Sequence, residues 1–240
     1  MKPAVLVRSL SVLSLSLLLG CGKSQSSAPA LSSLHSDAPA APKVADSSAA
    51  PANIQDARPI IVAFGDSLTA GFGTDPGQSY PDALQKDLDA QGYAYRVANA
   101  GVSGNTTKDG VERLPSVIAL HPVVVIVAFG GNDGLRGIPI ADSRKNLTTI
   151  VETLQQVHTK VVLGGITLPP NYGQDYITQF NQTYATLAKT RHLPLLPFLL
   201  QGVYGVPGSM QADGMHATAQ GNQQVARNLL PLLLPMLRRR

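Results

Sequence analysis

The chain has 240 residues, a formal net charge of +4 and a single cysteine, Cys21. One cysteine excludes an intramolecular disulfide and disfavours a nucleophilic-cysteine enzyme. Lys2 and Arg8 supply two of the positive charges and Arg238, Arg239 and Arg240 three more. That is a solvated tail rather than a basic face, so no nucleic-acid partner is expected.

The first residues read as a leader. Lys2 and Arg8 give a positive start, and Ser9 to Leu19 is an apolar stretch too short to span a bilayer as a mature helix. It ends in Leu18-Leu19-Gly20-Cys21, which resembles the lipobox of bacterial lipoproteins. The resemblance implies a signal peptide over 1–20, lipid on Cys21, and a membrane-anchored protein in the bacterial periplasm. Gly22 and Lys23 follow without an aspartate, which by the sorting rules of that class favours the outer membrane. Residues 21–57 then form a Ser/Ala/Pro-rich tether with no periodic apolar face, expected to be disordered. Residues 58–240 suffice for one domain.

Within that domain, apolar runs alternate with helical patterns. The runs Ile60–Phe64, Tyr95–Ala98, Val123–Phe129, Val161–Ile166 and Leu193–Phe198 predict five buried strands. Pro81–Gln91, Lys108–Leu120, Ala141–His158, Tyr176–Arg191 and Ala219–Leu237 predict helices. In the last, Val225, Leu229, Leu232, Leu233 and Met236 mark an apolar face that Pro231 and Pro235 should kink or fray. This alternation implies an α/β fold, a parallel sheet covered on both faces. Ligand sites in such sheets lie beyond the carboxyl ends of the strands. Ser67 follows the first strand, Gly101 the second and Asn132 the third, so three chemical groups should share one edge.

Those groups suit acyl transfer without a metal. Ser67, in Gly65-Asp66-Ser67-Leu68, is the candidate nucleophile. His216 is the candidate base, and Asp213, three residues before it, would hold its tautomer and stabilise the imidazolium. Each alone has a plainer reading, Ser67 as a helix cap and His216 as a surface histidine. His35 lies in the tether, and His121, His158 and His192 fall near helix ends; all four read as structural. An oxyanion needs fixed donors. The Ser67 N–H, the Gly101 N–H and the Asn132 side-chain amide are the candidates, although both glycine-rich loops would also serve as tight turns. Asp66 and Asp133 are expected to hydrogen-bond the loops as scaffold. Arg136 is expected to meet a neighbouring carboxylate, with an anionic substrate head group as the alternative. There is no phosphate loop, no His-Glu-x-x-His and no Cys/His cluster, so no cofactor or metal is expected. Gly65-Asp66-Ser67-Leu68-Thr69 lacks the second glycine of a nucleophile elbow, which disfavours an ordinary α/β-hydrolase.

Gly65-Asp66-Ser67-Leu68, Gly101, Gly130-Gly131-Asn132-Asp133 and Asp213-x-x-His216 resemble the four blocks of the GDSL, or SGNH, hydrolase family. The resemblance implies a flavodoxin-like three-layer α/β/α sandwich, Ser67, Asp213 and His216 as triad, and Ser67, Gly101 and Asn132 as oxyanion hole. Gly130 to Gly137, Leu168 to Gly173 and Pro194 to Phe198 are similar to the bacterial thioesterase I, lysophospholipase and arylesterase subfamily. That implies a monomeric hydrolase of small acyl esters or lysophospholipids, with Pro169, Pro170, Asn171 and Tyr172 bordering the acyl pocket, although a Pro-rich turn without a ligand role fits the same residues. Ala217 departs from the proline that many members place after the histidine, which questions the rigidity of that turn. The alternatives are a carbohydrate O-deacetylase and a non-catalytic lipoprotein that binds lipid or glycan.

Overall fold

The computed structural model describes residues 56–239. The expected signal peptide 1–20, the lipidation site Cys21 and nearly all of the tether 21–57 lie outside the described residues, as does Arg240. No helix among the described residues is long and apolar enough to cross a membrane.

Five parallel strands form one sheet in the order β2-β1-β3-β4-β5. β1 (Ile60–Gly65) and β3 (Val124–Ala128) are apolar almost throughout and buried on both faces, as strands between two helical layers must be. β2 (Arg96–Gly101) is the half-buried edge on one side. β4 (Lys160–Gly164) pairs with β5 (Leu195–Leu196), which closes the other edge. β5 is much shorter than expected because Pro194 and Pro197 flank it and neither can donate to the ladder. β4 also stops two residues early: Gly165 N–H still donates to Leu196 O at 2.8 Å, but its carbonyl accepts from Leu199 N–H at 2.8 Å as the chain turns away.

α2 (Tyr80–Ala90) packs against α7 (Ala219–Leu233) on one face of the sheet. α3 (Thr107–Ile118), α5 (Ile140–Gln156) and α6 (Gln174–Arg191) form the other layer. Ser79 with Asp82, and Thr106 with Asp109, make capping boxes that fix where α2 and α3 begin. Pro231 stays within α7, and Pro235 sits in the 3₁₀ turn Leu234–Met236 that ends it. His121, His158 and His192 all adopt positive φ, 50°, 60° and 54°, at the turns that follow α3, α5 and α6. Their expected structural role is therefore a left-handed helix exit.

Two short helices fall outside the predicted helix spans: α1 (Ser67–Ala70) and α4 (Gly131–Leu135). Each is about one turn, too short for a 3.6-residue pattern. The register places Gly65 opposite both Gly101 and Ala128, so β1, β2 and β3 end level. The residues that follow emerge together at one edge.

Candidate active site

Asp66 caps α1: its Oδ1 accepts from Leu68 N–H at 3.1 Å. Ser67 is thus the first residue of that helix rather than its cap, and among the described residues its own N–H donates to no protein acceptor. Gly65 before it admits no side chain, since a Cβ there would lie 2.5 Å from Ala128 O. The sharp approach of α1 to the strand ends depends on that absence.

His216 arrives from the far end of the chain, on the turn Asp213–His216 before α7. Its Nδ1 lies 2.6 Å from Asp213 Oδ2, and its Nε2 lies 2.9 Å from Ser67 Oγ. A carboxylate accepts only, so Nδ1 carries the proton and donates to Asp213, leaving Nε2 to accept from the Ser67 hydroxyl. Asp213 Oδ1 accepts from the N–H groups of Met215 and His216 at 2.9 and 3.0 Å. Partial burial opposes ionisation of Asp213, but the His216 and Met215 bonds outweigh it and hold its pKa at about 2. Gln211 ties the turn down: its N–H donates to His216 O at 2.8 Å, and its amide donates to Phe72 O and Ala217 O. The Phe72 ring lies 4.6 Å from the imidazole. Ala217 is buried and pairs in a bridge with Met210, so this turn is braced without the proline.

Asn132 sits in α4 with one amide hydrogen donated to Asn105 O at 2.9 Å. Gly101 departs from expectation. Its N–H donates to Asn99 Oδ1 at 2.9 Å, and a Cβ there would lie 2.2 Å from Ala70 N, so it is a glycine for close packing under α1. Its donor is committed to Asn99. Three residues on, Gly104 has φ +82°, and among the described residues its N–H has no protein acceptor. Arg136 Nη2 donates to Gly104 O at 2.9 Å, a carbonyl instead of the expected carboxylate. Asn132 and Arg136 together hold the 102–105 loop against α4.

The expected scaffold carboxylates are both buried. Asp133 accepts from Thr107 N–H at 2.8 Å, from Thr107 Oγ at 2.5 Å and from Ser143 Oγ at 3.0 Å. Asp66 is only 2% exposed; burial raises its pKa to about 6, against the pull of the Leu68 N–H. No group of three or more His, Cys, Asp or Glu suited to a metal occurs among the described residues.

Ser67, Asn132 and His216 line a cavity of about 360 Å³ whose other walls are mainly apolar: Leu135, Ile166, Leu168, Phe198, Leu200 and Met215. Of the four expected loop residues, Pro169 and Pro170 line it and Asn171 and Tyr172 do not. Tyr172 instead donates its hydroxyl to Leu135 O at 3.2 Å. The wall after β5 (Phe198, Leu200, Tyr204) was not anticipated, because those side chains sit in irregular chain with no periodicity to show where they point.

An α/β/α sandwich of this topology, with such a cavity at its carboxyl edge, places the chain among the SGNH-type hydrolases. It belongs to the GDSL-like lipase/acylhydrolase family, which matches residues 63–224, and it is an ester hydrolase. It is 42% identical over 184 residues to the esterase TesA of Pseudomonas aeruginosa, covering 76% of this chain and 92% of that one. A crystal structure of TesA superposes with a TM-score of 0.71 over 74% of this chain and 99% of that chain. The thioesterase 1/protease 1/lysophospholipase L1 of Escherichia coli is 34% identical over 178 residues, 74% of this chain and 84% of that one.

Proposed function

We propose that the protein hydrolyses carboxylic esters of apolar acyl chains through a Ser67–His216–Asp213 triad and an acyl-enzyme intermediate. The continuous hydrogen-bond chain from Asp213 Oδ2 through both imidazole nitrogens to Ser67 Oγ carries this reading. Ser67 Oγ attacks the acyl carbon as His216 Nε2 takes its proton. The imidazolium, stabilised by ionised Asp213, then protonates the leaving alkoxide or aryloxide. Water activated by the same imidazole hydrolyses the Ser67 ester and releases the carboxylic acid. The oxyanion in each tetrahedral intermediate takes hydrogen bonds from the Ser67 N–H, the Asn132 amide hydrogen not given to Asn105, and the Gly104 N–H, which stands in place of Gly101.

The apolar cavity favours acyl chains longer than acetyl, which speaks for arylesters, lysophospholipids or acyl thioesters over carbohydrate O-acetates. The lipobox-like Leu18-Leu19-Gly20-Cys21 supports a lipid anchor in the periplasm, at the outer membrane, with residues 58–240 as the catalytic domain on the tether. Cys21→Ala should release the protein from membranes washed with salt; retention would remove the anchor from this reading. The activity itself is tested with p-nitrophenyl esters from acetyl to palmitoyl, with lysophosphatidylcholine alongside. Ser67→Ala and His216→Ala should each lose roughly 10⁴-fold or more in kcat while staying folded. A folded wild type inert toward every ester would overturn the proposal.

A further inference from the structure

We propose that Arg113, on α3, is a positioning residue that gauges the three loops carrying the oxyanion donors against one another. This rests on the roles assigned above to Ser67, Gly104 and Asn132. Arg113 Nη1 donates to Ala100 O at 3.0 Å, and Nη2 donates to Gly65 O at 3.1 Å. The same guanidinium lies 4.9 Å from the Phe64 ring centroid and 5.8 Å from that of Phe129. One planar group therefore touches the last residue of β1, the next-to-last of β2 and the residue just after β3. Gly65 is two residues before Ser67, Ala100 four before Gly104, and Phe129 three before Asn132.

The chemistry suits a gauge. The two carbonyls belong to neighbouring strands, and a guanidinium fork fixes both their separation and their direction, which a point-charge ammonium does not. The Phe64 and Phe129 rings meet edge to face at 4.8 Å and present a wall against which the fork rests. The neighbouring backbone leaves little slack: Val102 N–H shares the Gly65 carbonyl at 3.1 Å, and a side chain on Gly101 would collide with α1. Oxyanion donors stabilise a transition state only when held in place before reaction, so loosening this joint should slow chemistry without changing how the cavity holds an acyl chain.

The test uses the full chain with Arg113→Met, which keeps the aliphatic stem, and Arg113→Lys, which keeps the charge. The measurements are kcat and KM on p-nitrophenyl butyrate, inhibition by butaneboronic acid, and inhibition by octanoate. The boronate forms a tetrahedral adduct on the serine and needs the oxyanion donors, whereas octanoate needs the cavity. Arg113→Met should lose roughly 10- to 100-fold in kcat with KM within about twofold. Boronate affinity should fall by a similar factor, octanoate inhibition should stay, and Arg113→Lys should recover only part of the rate. Should Arg113→Met not fold, Arg113→Gln takes its place with the same expectations. Full kcat in a folded variant, or equal loss of boronate and octanoate binding, overturns the gauge and leaves the esterase reading intact. A wild type inert toward all esters overturns both.

Discussion

At the scale of single residues, two carboxylates near the site respond to pH in opposite directions. Asp66 has its pKa raised to about 6 by burial, so the folded protein holds a proton that the unfolded chain releases near its ordinary 3.8. Folding stability from this group is therefore fully present below about pH 4 and is lost as pH rises towards 6. Asp66→Asn, which can still accept from Leu68 N–H, should remove that slope and gain up to about 3 kcal/mol at pH 7 relative to pH 4. Urea unfolding of both proteins at the two pH values checks it. For Asp213, held at about 2, the sign reverses: its contribution is present above about 4 and fades as pH falls towards 2. Asp213→Asn should flatten the acid limb of the stability profile over that window. The glycines divide in the same way between structure and chemistry. Gly101→Ala places a Cβ against the α1 backbone and should cost about 3 kcal/mol in stability. Gly104→Ala meets no close backbone but strains φ +82°, so it should cost only about 1–2 kcal/mol. If its N–H is the third oxyanion donor, kcat should fall at least about tenfold as the loop distorts. Thermal melts and kcat on one ester separate the two.

At the scale of elements, α3 links a helix cap to the candidate site. Its start is set by Thr106, whose hydroxyl accepts from Asp109 N–H while Asp109 Oδ2 accepts from Thr106 N–H at 2.7 Å. Thr107, the first residue of the helix, ties it to buried Asp133 in α4, and Arg113 two turns on reaches the strand ends. Thr106→Ala should cost about 1 kcal/mol, and so lower Tm by about 2–4 °C, with KM unchanged. The same element shows where sequence patterns carry information. Long helices and the inner strands were legible because a 3.6-residue stripe or an unbroken Val/Ile/Leu run repeats the signal many times. α1 and α4 were not, since a single turn of Ser-Leu-Thr-Ala or Gly-Asn-Asp-Gly-Leu repeats nothing. Yet these two helices aim Ser67 and Asn132.

For the whole molecule, the sheet brings residues 149 positions apart, Ser67 and His216, into one hydrogen bond, and closes an apolar cavity beside them. Phe198, in the cavity wall, packs on Tyr204 with centroids 6.1 Å apart. Phe198→Ala should enlarge the cavity and move the acyl-chain optimum to longer esters, with acetyl ester turnover little changed; rates across the p-nitrophenyl series measure the shift. The sequence by itself determined the layered α/β class and made Ser67, Asp213, His216 and Asn132 candidates, with Ser67 and Asn132 following strands at one edge of the sheet. Each rests on local information, namely strand periodicity, the residues that follow each strand, and a three-residue step within one turn. Tertiary structure alone decided which glycine has a free donor, because that depends on Asn99 taking the Gly101 N–H and Arg136 holding the Gly104 carbonyl across 32 residues. It also decided which side chains wall the cavity and that Arg113 spans three strand ends. Apart from the local Asn99–Gly101 bond, such contacts join residues distant in the chain and exist only once the sheet has fixed the strands side by side.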